Sequence, residues 1–415
     1  MKKINVLLIT VLFCVVLIPE IPAQYSDLLL RYYSGAYTAM AGTGIASGST
    51  NSSFDLNPAL LANYSTANLS LAQSIRFYNY NLLRMSSLVG AQTFDWDKAK
   101  LNFENASVIY PISNSLTIGA GIFQKLNPQL TNKKIAVTFS DLFAQETSGS
   151  VYAASIGIGY KISESFSAGI SFYSYFGKIT SYIIGDNHGQ DADKWIKLES
   201  NLSGFNFKGG ILYKEPEFSA GLTIETPFSM DLEAAKSISS NTLYSYLFPK
   251  YNSTKWHQPL VIGIGASYYG IKDWLFEADF ETRQYKNSEV QINLYEFGGN
   301  PVWETVNILR IGVEYKTGCE LGLPIRVGYA LIPQLYYSNN ANGRSNTVID
   351  YTNNNQTIKH LFTAGTTITK NRFNLNLTFL YSILSWGRVM VVPQTITDEY
   401  KEKNFCLLAE VVYQL

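Results

Sequence analysis

The last eleven residues, 405–415, read FCLLAEVVYQL and carry the pattern that decides the fold. Phe405, Leu407 and Ala409 fall on one face of an extended chain, while the carboxylate of Glu410 falls on the other. Such alternation with a period of two is typical of a β-strand that separates an apolar face from a polar one. The C-terminus therefore predicts a strand with one face suited to lipid.

The same test, applied along the whole chain, predicts fourteen strands. They are residues 66–77, 103–111, 116–124, 151–161, 165–177, 202–214, 217–228, 259–269, 273–285, 305–317, 323–333, 359–369, 373–386 and 404–415. An even number of antiparallel strands leaves both ends of the sheet on the same side. A wall of this size is expected to close into a barrel.

The connections between these strands alternate in length. Those after the even-numbered strands are brief, such as 112–115 and 370–372, whereas those after the odd-numbered strands are long. Outer-membrane barrels have short periplasmic turns and longer extracellular loops. The chain therefore predicts an all-β fold, a 14-stranded antiparallel transmembrane β-barrel in a bacterial outer membrane with both termini periplasmic.

Composition agrees with a barrel and leaves one alternative open. The chain is 46% hydrophobic and 14% aromatic but only 15% charged, where soluble domains usually carry about a quarter charged residues. The formal net charge is zero, so nothing indicates a nucleic-acid partner. A large secreted sandwich or propeller is the other fold class that this composition allows.

The N-terminus has the organisation of an export signal. Lys2 and Lys3 precede an apolar run that ends at Ile18, and Ala23 follows two prolines. This order predicts a signal peptide over residues 1–23. Beyond it the sequence has no apolar stretch near the 18 or so residues that a spanning helix needs.

Residues 24–65 precede the first strand and are rich in glycine and alanine. A fourteen-stranded barrel encloses a lumen too wide for wall side chains alone to fill. Small residues let the backbone pack closely, and Asn57-Pro58 predicts a tight turn. We predict that 24–65 is an N-terminal plug, or hatch, inside a barrel of 66–415; an ordinary coil rich in small residues is the alternative.

The plug sequence resembles a known family. Residues 39–46, Ala-Met-Ala-Gly-Thr-Gly-Ile-Ala, and 57–61, Asn-Pro-Ala-Leu-Leu, are similar to the plug signature of FadL-type outer-membrane transporters of long-chain fatty acids and other hydrophobic compounds. Short sequence segments at 205–208, 274–281 and 324–329 also resemble that family. One departure is that Ser49 to Asn51 occupy the region where the family usually has an acidic residue.

The resemblance implies a surface groove that captures a ligand, a pocket beside the plug and a lateral exit near a kink in the third strand. It assigns plug and gating roles to Gly42, Gly44, Asn57, Pro58 and Ala59.

The lateral exit would lie at Gly119 and Gly121 in the third strand. Glycines in a strand interior often mark bends, but these two are equally suited to make room for a bulky plug residue.

The connection after the seventh predicted strand is unusually apolar. It contains Phe228, Met230, Leu247, Phe248 and Trp256. An exposed loop of this composition indicates a partner, so these residues are candidates for ligand capture. Loops that pack on one another over the barrel mouth are the other interpretation.

Charged residues recur on the inward face of the predicted wall: Glu277, Asp279, Glu281, Arg310, Glu314 and Arg326. Charges in a lumen need partners across strands or on the plug. A structural network is the favoured interpretation, with a binding site for a ligand carboxylate at Arg310 or Arg326 as the alternative.

Catalysis is not expected. The three histidines, His188, His257 and His360, have no evident partner motif, and no metal-binding spacing occurs. We predict no cofactor and no metal. The predicted function is passive uptake of hydrophobic small molecules by a monomer in contact with outer-membrane lipids; the alternative is a FadL-like barrel that docks a surface or secretion-associated protein.

Overall fold

The computed structural model describes residues 35–48, 53–86, 90–127, 130–136, 141–187, 194–238, 254–287, 300–318, 323–339, 348–350, 357–391 and 395–415. Helical elements in these ranges are short: Gly35–Thr38, Ser53–Leu56, Pro58–Asn63 and Tyr285–Asn287. Within them, no helix combines the length and hydropathy needed to cross a membrane.

Strands make up most of the described chain. They are β1 (Asn68–Ser86), β2 (Gly90–Pro111), β3 (Leu116–Leu126), β4 (Leu130–Ala136), β5 (Asp141–Lys161), β6 (Phe166–Asn187), β7 (Lys194–Lys214), β8 (Phe218–Glu225), β9 (Phe228–Ile238), β10 (Thr254–Gln258), β11 (Val261–Tyr268), β12 (Trp274–Arg283), β13 (Asn300–Trp303), β14 (Val306–Lys316), β15 (Pro324–Pro333), β16 (Tyr336–Asn339), β17 (Val348–Asp350), β18 (Ile358–Lys370), β19 (Phe373–Val391) and β20 (Thr395–Gln414).

The main sheet closes into a barrel because β1 pairs with both β2 and β20. Four positions in the wall are each occupied by two consecutive strands. β4 continues β3 and pairs with β5, and β9 continues β8 and pairs with β7. β10 leads into β11 and pairs with β9, and β17 leads into β18 and pairs with β19. The eighteen strands of this sheet therefore form fourteen antiparallel wall positions, as predicted. β13 and β16 pair separately in a small second sheet.

The two ends of the barrel differ. At one end, here called the turn end, residues 112–115, 162–165, 215–217, 269–273 and 371–372 connect successive strands. Asn68 and Gln414 pair at the same end, so both ends of the sheet lie there. Asn371 has a φ of 55° in the two-residue turn, a left-handed conformation that asparagine tolerates well.

At the opposite end, here called the loop end, several predicted long loops are strands. β1 continues to Ser86 and β2 begins at Gly90, although alternation predicts a connection over 78–102. Polar residues fall on both faces of this stretch, including Asn79, Asn81 and Lys100. A strand that has passed beyond lipid needs no apolar face, so period-two hydrophobicity fails to detect it.

Side chains in the wall alternate between the lumen and the outside. In β6, Ser171 and Tyr173 are buried, whereas Ile170 and Phe172 are exposed. Large exposed apolar residues recur in the same parity on most wall strands, for example Ile156, Phe205, Ile311 and Val327. This exterior is typical of an outer-membrane barrel whose outer surface meets lipid.

Residues 35–48 and 53–63, here called the plug segment, lie in the lumen near the turn end. The segment contacts strands all around the wall: the Thr378 side chain of β19, the Glu277 side chain of β12 and the backbone carbonyl of Ile211 in β7. A side chain on Gly169 would overlap the backbone of Pro58, so glycine permits the closest approach of wall and plug.

Candidate functional site: the plug and the lumen above it

The turn at Asn57-Pro58-Ala59 ties the plug segment to the wall. The side-chain oxygen of Asn57 accepts a hydrogen bond from the Ala59 N–H at 3.0 Å and caps the 3₁₀ helix that follows. Its Nδ2 donates to the carbonyls of Ile45 at 2.8 Å and Ile211 at 3.1 Å. One buried amide thus joins two parts of the plug segment to β7.

A second anchor holds the glycine-rich half of the plug segment. Ala41, Gly42 and Gly44 have positive φ values of 59°, 83° and 136°. The N–H groups of Gly44 and Ile45 both donate to Asp279 Oδ2, at 2.8 and 3.1 Å. Successive N–H groups aimed at one anion form a small binding nest, so the glycines allow the backbone to surround a wall carboxylate.

Hydroxyl groups complete these contacts on two sides of the wall. Glu277 accepts hydrogen bonds from Thr43 at 2.7 Å and from Ser47. Across the lumen, the Thr363 hydroxyl donates to the carbonyl of Ala39 at 2.9 Å. The plug segment is therefore held by directional bonds as well as by packing.

Asp55 forms a contact that the sequence analysis missed. Its carboxylate accepts hydrogen bonds from Lys125 Nζ at 2.5 and 2.8 Å, and its carbonyl accepts one from Lys208 Nζ at 2.9 Å. Lys208 also pairs with Glu225 at 3.1 Å. Asp55 is the single charged residue between positions 33 and 65, a signal that could have identified it.

The remaining predicted charges contact one another. Glu281 pairs with Arg283 at 2.6 Å and with Arg310 at 3.4 Å. Glu314 pairs with Arg326 at 2.6 Å. Each of these four predicted residues therefore has an opposite charge beside it. The structural network and a ligand carboxylate at either predicted arginine both stay predictions.

Gly119 and Gly121 occupy different surroundings in β3, because a Gly119 Cβ would meet the plug segment whereas a Gly121 Cβ would meet β2. Leu61 of the plug segment lies 2.9 Å from the position that a Gly119 Cβ would take, so this glycine makes room for the plug. The register of β3 against β5 instead shifts between Gln124 and Leu126. The irregularity thus lies nearer the loop end than either glycine.

The same irregular part of β3 separates from β2. Their ladder ends at the pair Asn105 and Phe123. Beyond that pair, in the part of both strands that is described, side chains make the contact: Asn127 Nδ2 donates to Asn102 Oδ1 at 2.7 Å, and Lys100 Nζ lies 3.4 Å from Asn127 Oδ1. We call this place the β2–β3 seam.

Above the plug segment, toward the loop end, inward side chains form an apolar cluster here called the apolar layer. It consists of Leu126, Val151, Ala153, Tyr173, Tyr175, Leu202, Met230, Trp256, Tyr285, Val306, Ile308 and Leu335. Phe228 packs against it and stacks on Tyr175, with ring centroids 4.7 Å apart.

Three of the five candidate capture residues take part in this layer, but not as a loop. Phe228 and Met230 lie in β9, and Trp256 lies in β10 opposite Met230. Met230 and Trp256 are buried. The predicted loop position of Phe228 and Met230 was wrong, because the break at Pro227 lasts only two residues and the chain then continues as β9. Leu247 and Phe248 lie outside the described residues.

The described histidines have single polar neighbours. His257 Nδ1 lies 2.6 Å from the Ser229 hydroxyl, and His360 Nδ1 lies 2.7 Å from the Tyr329 hydroxyl. His188 falls outside the described residues. Among the residues that the structure describes, no three His, Cys, Asp or Glu side chains converge on a metal position.

A family model for BamG matches residues 33–320, which is more than half of the chain. The chain belongs to the BamG family. The BamG match includes the whole plug segment, Lys125, the β2–β3 seam and most of the apolar layer. No curated protein matches the sequence significantly.

Solved structures similar to this chain include a FadL homologue and two toluene transporters. A Pseudomonas aeruginosa FadL homologue superposes with a TM-score of 0.64 at 9% identity, covering 94% of this chain and 99% of that one. The P. putida toluene transporter TodX gives 0.61 at 13% identity, covering 93% and 99%, and the Ralstonia pickettii toluene transporter TbuX gives 0.56 at 12%, covering 93% and 99%. At these identities the FadL resemblance is confirmed as a fold, whereas the family model that matches is BamG.

Proposed function

We propose that this barrel conducts hydrophobic small molecules, such as long-chain fatty acids or similar hydrocarbons, passively across the outer membrane. The observation that carries the proposal is the apolar layer, because the interior of a membrane barrel is ordinarily polar. Tyr173, Met230 and Trp256 are each almost completely buried in that layer. Such a lining suits a ligand with little polar surface.

The plug segment divides the proposed path. A ligand would enter the apolar layer from the loop end and would stop against Phe54 and Asp55 of the plug segment. The turn end, which holds Asn68 and Gln414, would face the periplasm. We infer a monomer without catalytic activity, since every step is binding and movement.

The β2–β3 seam is the proposed lateral exit. Asn127 bonds to the side chains of Asn102 and Lys100 there in place of a backbone ladder, so the strands can separate with fewer broken hydrogen bonds than along a continuous ladder. Lys125 lies in the irregular part of β3 and binds Asp55 of the plug segment. Movement of the plug and opening of the seam would therefore be coupled through this ion pair.

A disulfide across the seam tests the path. Asn102→Cys with Asn127→Cys, in a background with Cys319→Ser and Cys406→Ser, is expected to block uptake when oxidised and to restore it on reduction. The measurement is uptake of a radiolabelled fatty acid, an alkane and toluene by a deletion strain that carries each variant. Ala154→Cys with Ser174→Cys, across the continuous β5–β6 ladder, is the matched control.

Two outcomes would contradict the proposal at different levels. Equal uptake of all three compounds with and without the protein would overturn transport itself. Normal uptake through a fully oxidised seam would overturn only the lateral exit.

The uneven height of the wall favours a second candidate function, docking of a protein at the cell surface. β2, β5, β6 and β7 have 21 or 22 residues, where about 9–11 residues suffice to cross a bilayer. This side of the wall projects well beyond lipid at the loop end. Purification in mild detergent would favour docking if one protein partner is recovered at fixed stoichiometry and no apolar molecule is.

A further inference from the structure

Two buried hydrogen-bond donors, one in the apolar layer and one beside it, have no acceptor among the described residues. Trp256 Nε1 and Gln258 Nε2 are unpartnered among the described residues, although the two side chains are only 1% and 4% exposed. Burying a polar group without a hydrogen bond costs free energy. Two such donors at one place therefore point to a bound group that supplies the acceptors.

Both donors face the lumen from the same strand. Residues 256 and 258 are two apart in β10, which puts them on one face about 7 Å apart. Met230 lies opposite Trp256, and Phe228 lies opposite Gln258. The donors thus sit within the surface that the proposed ligand would contact.

The Gln258 amide is hydrogen-bonded at one end. The Tyr285 hydroxyl donates to Gln258 Oε1 at 2.8 Å, which leaves Nε2 as the open end. If the amide were turned over, Tyr285 could accept from Nε2, and Oε1 would then be the open end. The indole N–H of Trp256 is a donor in either case.

The charged residues beside the apolar layer indicate whether the missing acceptor is charged or neutral. The ionised groups beside the layer contact opposite charges: Arg283 pairs with Glu281 at 2.6 Å, and Lys208 pairs with Glu225 at 3.1 Å. A buried carboxylate would need a cation of its own. Two neutral donors in an apolar lining suit an uncharged acceptor instead.

We propose that the apolar layer selects apolar molecules that carry an uncharged hydrogen-bond acceptor, such as a ketone, an ester or an amide. Trp256 Nε1 and Gln258 Nε2 donate to that acceptor, while Met230 and Tyr173 contact the hydrocarbon part. This inference rests on the proposed passage of hydrophobic molecules and specifies the class of ligand.

The test compares three ligands of equal chain length with the purified full-length barrel in mild detergent: 2-undecanone, undecane and undecanoate. Native mass spectrometry with competition gives their relative affinities. The ketone is expected to bind about tenfold more tightly than the alkane, the size of effect that one or two hydrogen bonds produce. This comparison needs no variant.

Substitutions then locate the effect. Gln258→Met and Trp256→Phe each remove one of the two donors and keep an apolar side chain, so each is expected to reduce ketone affinity about threefold and to leave alkane affinity unchanged. Trp274→Phe makes the same substitution on the exposed outer face and is the matched control. Heat-modified gel mobility identifies any variant that does not fold, and the other variant then carries the test.

The outcomes separate this inference from the proposed function. Equal binding of ketone and alkane, or variants that bind the ketone normally, would overturn the inference, because water alone would then satisfy the donors. Transport would still stand if all three ligands are taken up. Binding of no ligand together with unchanged uptake in a deletion strain would overturn both.

Discussion

Two levels of the same lumen differ in what their inward side chains contact. At the plug level, wall residues such as Asp279 and Thr363 bind the backbone of the plug segment. In the apolar layer, side chains such as Met230 and Trp256 pack on one another, and two donors lack partners. Directional bonds fix one arrangement, whereas apolar contacts allow several. The plug level is therefore the rigid part, and the layer is the part able to accommodate a guest.

The largest effect is expected where the two levels meet, at Asp55. Asp55→Asn leaves Lys125 buried without its carboxylate, and Lys125 is only 1% exposed at its side chain. Removing one partner of a buried ion pair costs about 3–5 kcal/mol. Urea unfolding in lipid vesicles, followed by tryptophan fluorescence, measures the loss.

An exposed ion pair serves as the control, and a second substitution should restore the stability that Asp55→Asn removes. Asp231→Asn breaks an exposed pair with Lys255, whose atoms lie 3.7 Å apart, and should change stability by no more than about 1 kcal/mol. Adding Lys125→Met to Asp55→Asn should recover most of the loss. Equal destabilisation by the two single substitutions would show that the Asp55 pair is not the link between plug and wall.

A smaller effect is expected where wall and plug backbones touch. Gly169→Ala places a methyl group against the backbone of Pro58 and Ala59. Backbone atoms cannot avoid the methyl group by a change of side-chain rotamer. Overpacking of this kind costs about 1–3 kcal/mol, and it should also raise protease cleavage of the plug segment if the segment is displaced. Gly209→Ala is the matched control, because nothing lies within 4 Å of its added Cβ; identical stability of the two variants would contradict close packing.

Asn57→Ala is expected to cost about 2 kcal/mol, since it removes the cap of the 3₁₀ helix and the bonds to Ile45 and Ile211. The same unfolding assay measures it. Asn63→Ala, at an exposed position of the same helix, should be within about 0.5 kcal/mol of the parent chain. A loss of equal size at Asn63 would show that helix propensity, and not the bonds of Asn57, sets the cost.

The sequence predicts the strands and the plug level better than the apolar layer, and the reasons are physical. Strand ends at the turn end fall within two residues of prediction, as at Lys161 and Lys214, because lipid on one side and the lumen on the other impose alternation. The same signal is lost beyond lipid, where β5 and β7 continue. Asn57 is identifiable from its turn chemistry, but the pairing of Asp55 with Lys125 spans 70 positions and has no local signal. Phe228 and Met230 were predicted to lie in a loop because Pro227 breaks the pattern between β8 and β9.

The smallest effect should come from an amide in the apolar layer, and it sharpens the contrast with Asn57. Gln258→Met removes the acceptor of the Tyr285 hydroxyl, which costs free energy, but it also removes a buried donor without a partner, which recovers some. Each contribution is of the order of 1 kcal/mol, so the net change in unfolding free energy should lie within about 1 kcal/mol of zero. Substitution of Asn57 would then reduce the free energy of unfolding more than substitution of Gln258, because the Asn57 amide is hydrogen-bonded at both ends and the Gln258 amide at one. A loss at Gln258 as large as that at Asn57, measured in the same vesicles without ligand, would show that the layer is as rigidly bonded as the plug level.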